Sequence, residues 1–255
     1  MYAPTIGHYR LVGEIGQGSF GKVFKCVDVY TGAFYACKTV NVKTVREDAR
    51  LFENFKNELR ANAQIRHPGI VRLVDVQCDR MNIFLILELC PGGTLEQRVK
   101  ESNGLSEAQA RIVFCQLMKA VEYIHRQNYV HRDVTLKNIL LSGDGSIKLA
   151  DFGLCKRRQS SQMCTTKCGT FVYVAPEVLQ DVRYDAYKVD IWSAGICLYS
   201  MVTNHLPWLI DDNTPTDQIW NATAAQICGG HIIYDDDMSD GLKDLLRMML
   251  NVKPE

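Results

Sequence analysis

The sequence has no apolar run approaching the ~20 residues of a membrane-spanning helix. It also has no surplus of either charge: 29 lysines and arginines balance 29 aspartates and glutamates. Neither a membrane nor a nucleic acid is therefore expected as a partner. The first ten residues, MYAPTIGHYR, lack the pattern of a secretory signal peptide. No internal repeat is present. Cysteine is not scarce, with ten residues, but no CxxC pair occurs, and several lie inside apolar runs such as Ile196-Cys197-Leu198. Cys164-x3-Cys168 has no second ligand pair nearby that would suggest zinc. The thiols read as reduced, and the protein is expected in the cytoplasm, the nucleus or both. What remains is ordinary globular composition, 47 % apolar and 23 % charged. It suits one large domain or two lobes.

Two textures follow one another. Up to about residue 90, runs rich in β-branched and aromatic residues predict strands at Tyr9–Ile15, Lys22–Val29, Ala33–Val40, Val71–Cys78 and Asn82–Leu89. One long helix interrupts them, near Thr44–Ile65, and Arg66-His67-Pro68-Gly69 stops it. After Pro91-Gly92-Gly93 the spacing becomes helical. Ser106–Gln127 carries apolar residues at helical intervals, and Ser106 with Gln109 resembles a capping box. Short strands are predicted at Ile139–Leu141 and Ile147–Leu149. Further helices are predicted at Ala175–Leu179, Lys188–Thr203, Ile219–Cys228 and Leu242–Leu250.

Gly16-Gln17-Gly18-Ser19-Phe20-Gly21 lies between two predicted strands. Glycines at this spacing let the backbone approach a phosphate, with its N–H groups facing the anion. Taken alone, the pattern is shared with dinucleotide-binding loops and with bare glycine hairpins. The dinucleotide loop opens into a helix, however, whereas here Val23–Val27 continues as a strand. Lys38 shares a strand face with Ala36. It reads as a surface residue unless a partner meets it, and Glu58 on the long helix could be that partner. Glu47 and Glu53 on the same helix keep a solvated charged face in play.

The segments His131-Arg132-Asp133-Val134-Thr135-Leu136-Lys137-Asn138, Asp151-Phe152-Gly153, Ala175-Pro176-Glu177 and Asp190-Ile191-Trp192-Ser193-Ala194-Gly195 follow in order. With the glycine loop and Lys38, this set resembles the eukaryotic protein kinase family from about Tyr9 to the last residue. The resemblance implies an α+β, bilobal protein-kinase fold. A small β-rich N-lobe with one long helix would span residues 1–90, and a larger, mainly helical C-lobe residues 91–255. It implies ATP and Mg2+ as cofactors and protein substrates with serine or threonine acceptors. It also implies regulation by an activating kinase or a partner.

The family's roles carry over by position. The loop with Ile15, Gly16, Gly18 and Gly21 would cover the phosphates, and Lys38 would contact them while paired with Glu58. Val23, Ala36 and Leu140 would sandwich the adenine, with Leu87 behind it and Glu88 and Cys90 at its edge. Asp133 would take the proton of the attacking hydroxyl, and Asn138 and Asp151 would hold magnesium. Arg132 implies control by phosphorylation of the loop from Asp151 to Glu177, with Thr166 the first choice and Thr165 the second. Thr170 looks like the serine/threonine type. Leu198–Met201 with Leu206-Pro207-Trp208 resembles calmodulin-dependent and checkpoint-type kinases.

Departures from the pattern are few. Thr135 stands where such kinases carry a lysine, and Lys137 is expected to replace it at the γ-phosphate. Thr94 and Lys137 stand where acidic residues usually read a substrate arginine, so no requirement for arginine three residues before the acceptor is expected. Asn62 occupies an apolar spine position. It would loosen the helix unless its amide is satisfied. The chain ends at Asn251–Glu255, where the family usually adds an arginine partner for Glu177 and a further helix. The alternative to an active kinase is a pseudokinase of the same fold, serving as a nucleotide-binding scaffold.

Overall fold

The structure, a computed structural model, describes residues 4–18, 20–158, 163–164, 168–180, 182–208 and 216–253, with only the backbone of 216 and 217. Thr165 and Thr166 lie outside the described residues. The chain forms two compact units, Met1–Gly93 with Leu140–Cys155, and Thr94–Ile139 with Lys156–Glu255.

The first unit is built on one antiparallel sheet. Its strands are β1 (Thr5–Ile6), β2 (Tyr9–Gly18), β3 (Gly21–Asp28), β4 (Phe34–Asn41), β5 (Leu73–Cys78) and β6 (Asn82–Glu88). They lie in the order β1-β2-β3-β4-β6-β5. Side chains alternate between the two faces. Tyr9, Leu11, Cys26, Cys37, Phe84 and Ile86 form an apolar cluster on one face. On the other, Val40 and Leu85 pack with Val45 and Phe55 from the helices. The helical stretch is two helices, not one: α1 (Val42–Glu47) and α2 (Ala49–Gln64). Asp48 breaks it, because its carboxylate accepts hydrogen bonds from the Arg50 and Leu51 N–H groups and caps α2. At the other end Arg66 Nη1 donates to the Asn62 and Ile65 carbonyls. A 3-10 turn at Phe152–Leu154 lies against α2.

The second unit is mainly helical. It contains α3 (Leu95–Glu101), α4 (Glu107–Arg126), α5 (Pro176–Leu179), α6 (Ala186–Thr203), α7 (Thr216–Gly229) and α8 (Asp240–Met249). Strands β7 (Tyr129–Val130) and β10 (Lys156–Arg157) pair within it; the short pair β8 (Ile139–Leu141) and β9 (Ile147–Leu149) belongs to the first unit from Leu140 on. The capping box of Ser106 and Gln109 forms as expected. A second one, Thr94 with Gln97, starts α3, a helix that the apolar spacing does not reveal. α6 is the core element, with Trp192, Ile196 and Tyr199 buried, and α4 packs on it through a face of Phe114, Leu117, Val121 and Ile124.

Candidate active site

In the first unit, strand register builds a site around one lysine. Val23 pairs with Lys38 across β3 and β4, and Ala36 pairs with Leu87 across β4 and β6. Residues directly opposite in an antiparallel pair share a face. Val23, Ala36, Lys38 and Leu87 therefore line one side of the sheet. Leu140 and Cys90, half-buried, belong to the same unit. Burial and the Glu88 charge push the Cys90 thiol up to about 11, so it stays protonated at neutral pH. Gly18 pairs with Gly21 at the tip of the β2–β3 hairpin, and Gly16 with Val23. A Cβ on Gly18 would stand 3.1 Å from Lys38 Cε. The missing side chain is what lets this backbone pass over the lysine. Ile15 on β2 is exposed. Glu88 forms an ion pair with Lys148 at 2.8 Å, a contact that nothing in the sequence signals.

Lys38 is 4 % exposed and Glu58 2 %. Lys38 Nζ donates to Glu58 Oε1 at 2.7 Å and to Asp151 Oδ1 at 3.1 Å. Burial pulls the lysine's pKa down, and the two carboxylates more than reverse this, so it lies above its ordinary value. The ammonium is permanently charged. Burial raises the Glu58 pKa. The attraction of Lys38 opposes that rise without cancelling it, and repulsion from Asp151 adds to it. Glu58 Oε2 has no hydrogen-bond partner among the described residues. Such a cluster is expensive to desolvate and holds a cation at one fixed point. Asp151 has left-handed backbone, φ 58°, and its carboxylate also accepts from the Gly153 N–H. A non-glycine residue held there is strained, a common mark of functional segments.

In the second unit, the segment His131–Asn138 forms a rigid loop around Asp133. Asp133 Oδ1 accepts from the Thr170 N–H at 2.9 Å and from Thr170 Oγ1 at 2.8 Å, and Oδ2 accepts from Asn138 Nδ2 at 2.8 Å. The Asn138 amide nitrogen also donates to the Asp133 carbonyl, so its oxygen is the atom that could ligate a cation. Thr135 is buried, and its hydroxyl accepts from the Asn138 N–H. The residue standing where a lysine was expected thus shapes the turn. Lys137 is exposed beside it. Arg132 has φ 64°, and Asp190, fully buried on α6, fixes that strained turn. Its carboxylate accepts from the His131 and Arg132 N–H groups at 2.9 and 2.7 Å and meets His125 Nε2 at 2.7 Å. A side chain on Gly169 would meet the Arg132 carbonyl at 2.8 Å. The stretch after Thr170 is tied down by Trp208 Nε1 on the Val172 carbonyl and Ser193 Oγ on the Tyr173 carbonyl.

Each unit offers one oxygen donor of the kind a hard cation takes. Asp151 offers carboxylate oxygen and Asn138 an amide oxygen, the ligands magnesium takes. Among the described residues no three His, Cys, Asp or Glu side chains cluster as a metal site.

Comparison with known proteins gives the same answer independently. The model of the protein kinase domain matches residues 9–255. The hormonally up-regulated neu tumor-associated kinase of Mus musculus is 39 % identical over 211 residues, covering 81 % of this chain and 29 % of that protein. CBL-interacting protein kinase 24 of Oryza sativa subsp. japonica is 39 % identical over 208 residues, 81 % of this chain and 46 % of its own length. CBL-interacting protein kinase 9 of the same species is 34 % identical over 252 residues, 98 % of this chain and 54 % of its own length. The chain thus spans about half or less of the relatives it matches. A lysine held between carboxylates under a glycine hairpin, a braced aspartate and a match from Tyr9 onward agree: this chain belongs to the protein kinase family.

Proposed function

We propose that the chain transfers the γ-phosphate of ATP to serine and threonine hydroxyls of protein substrates. The observation that carries this reading is the buried Lys38 ammonium, fixed between Glu58 and Asp151. Phosphoryl transfer relies on positioned charge more than on covalent chemistry. A permanent cation under a glycine hairpin suits the phosphates of a nucleotide. Asp133 would orient the acceptor hydroxyl and take its proton. Asn138 and Asp151 would hold magnesium, whose charge offsets that of the transferring group. Thr170, hydrogen-bonded to Asp133, supports a serine/threonine acceptor. One group of relatives is named for interacting with CBL, which supports a regulatory protein partner. Thr166 and Thr165 remain the proposed sites of activating phosphorylation.

The test is transfer from labelled ATP with magnesium to a mixed serine, threonine and tyrosine peptide library. Asp133→Asn is expected to lower the rate by about 10²–10⁴-fold, the usual worth of a general base. Transfer that survives in that variant, or that falls on tyrosine alone, would refute the proposal.

A further inference from the structure

A groove of about 250 Å³ in the second unit is lined in part by Thr170, the residue that binds Asp133. Its apolar lining includes Leu136, Val172 and Leu206, and two lysines, Lys100 and Lys137, border it. The charges along it do not cancel. Glu96 is its one carboxylate and is paired with Lys100 at 3.5 Å. His205 faces Asp235 at 3.4 Å. Lys137 is exposed and has no carboxylate partner among the described residues. Because Thr170, bonded to Asp133, lines this groove, a substrate chain whose acceptor hydroxyl meets Asp133 would run along it.

From this juxtaposition we infer that Lys137 is a specificity-determining residue that selects substrates with an acidic side chain close to the acceptor. The inference rests on the phosphoryl-transfer reading and names its substrate class. Lys137 stands one residue before Asn138, which is bonded to Asp133. An extended substrate advances about 3.3 Å per residue, and lysine carries its charge on a flexible four-carbon stem. Together these place the acidic residue within about three positions of the acceptor. Lysine at this point also disfavours a substrate arginine through like charge. The role differs from the γ-phosphate contact expected from the loop's spacing, and the two roles give different kinetics.

The experiment uses a serine peptide in which a single aspartate or arginine is walked from three residues before the acceptor to three after, with an alanine parent. kcat and KM are measured for the wild type, Lys137→Gln, Lys137→Glu and Lys137→Arg, each checked for folding by thermal melting. At one or two positions aspartate should raise kcat/KM about two- to fivefold over alanine, mainly through KM, as an exposed ion pair would. The gain should shrink as salt is raised. It should vanish in Lys137→Gln, persist in Lys137→Arg, and turn into a preference for arginine in Lys137→Glu. A wild type indifferent to aspartate at every position would overturn the inference. So would a preference that survives in Lys137→Gln, or a uniform fall in kcat across all peptides in that variant, the mark of a phosphate contact. If the wild type transfers to no peptide at all, the transfer reading fails, and this inference with it.

Discussion

Lys38 keeps its charge out of water because Glu58 and Asp151 meet it. Lys38→Met would leave Glu58 buried without its counter-charge. The Glu58 carboxyl already titrates above its ordinary value, with burial the main cause, and the variant removes the one influence that pulls it down. A carboxyl whose folded pKa exceeds its unfolded one gives its full stability below the unfolded value and loses it as pH rises to the folded one. The melting-temperature gap between wild type and Lys38→Met should therefore widen as pH rises above the ordinary carboxylate range. A gap that stays flat would show Glu58 settled without the lysine. At this scale the sequence offered Glu58 as a partner for Lys38, and the structure forms that pair. The sequence was silent where a contact joins more distant positions. Thr170 reaches Asp133 across 37 residues, and Asp190 braces Arg132 across 58. No local pattern encodes either pairing.

Among the elements, α2 matters most because it carries Glu58. Its start depends on Asp48, so Asp48→Ala should cost about 1 kcal/mol, or roughly 2–4 °C in melting temperature for a chain of this size. Transfer activity should fall with it. A variant with unchanged melting and turnover would show that the cap does not hold the helix. The boundary between α1 and α2 escaped sequence reading because apolar periodicity runs across Asp48 and Leu51, not Glu or Gln, follows at the capping-box position. α3 escaped for a different reason: seven residues are too few for a period, although Thr94 and Gln97 marked its start. A second contact links the beginnings of two helices. Glu107 on α4 accepts from the Ser239 N–H and hydroxyl, both at 2.7 Å, at the head of α8. Those bonds hold the Glu107 carboxyl below its ordinary value, so its stabilisation is present above the unfolded value and lost as pH falls through the folded one. Glu107→Gln should melt below wild type at neutral pH, and the two should converge as pH falls below the ordinary carboxylate range. Divergence at low pH would contradict this.

Over the whole molecule, the residues proposed to face the nucleotide and Asp133 belong to different compact units. This separates binding from proton transfer experimentally. At an ATP concentration 100 times its Kd, with magnesium, binding should add about 2.7 kcal/mol of stability. That is roughly 5–11 °C in melting temperature. Asp133→Asn, in the second unit, should keep this shift while losing turnover, and Lys38→Met, in the first, should lose most of both. A shift lost in Asp133→Asn would show that the two roles are not separable. The α+β class and the order of β-rich then helical parts were legible from the change of texture after Pro91-Gly92-Gly93. The return of Leu140–Cys155 to the first unit was not, since no change of composition marks it. That return is what brings Asp151 to Lys38.

One contact beside the groove has an optical consequence. Trp220 on α7 stacks on Phe171 with ring centroids 3.6 Å apart and remains 56 % exposed. The other two tryptophans, Trp192 and Trp208, are buried. The molecule thus carries one indole that a soluble quencher can reach, mounted on the residue next to Thr170. Its red-edge emission is a built-in reporter of what happens beside Asp133, readable without a label.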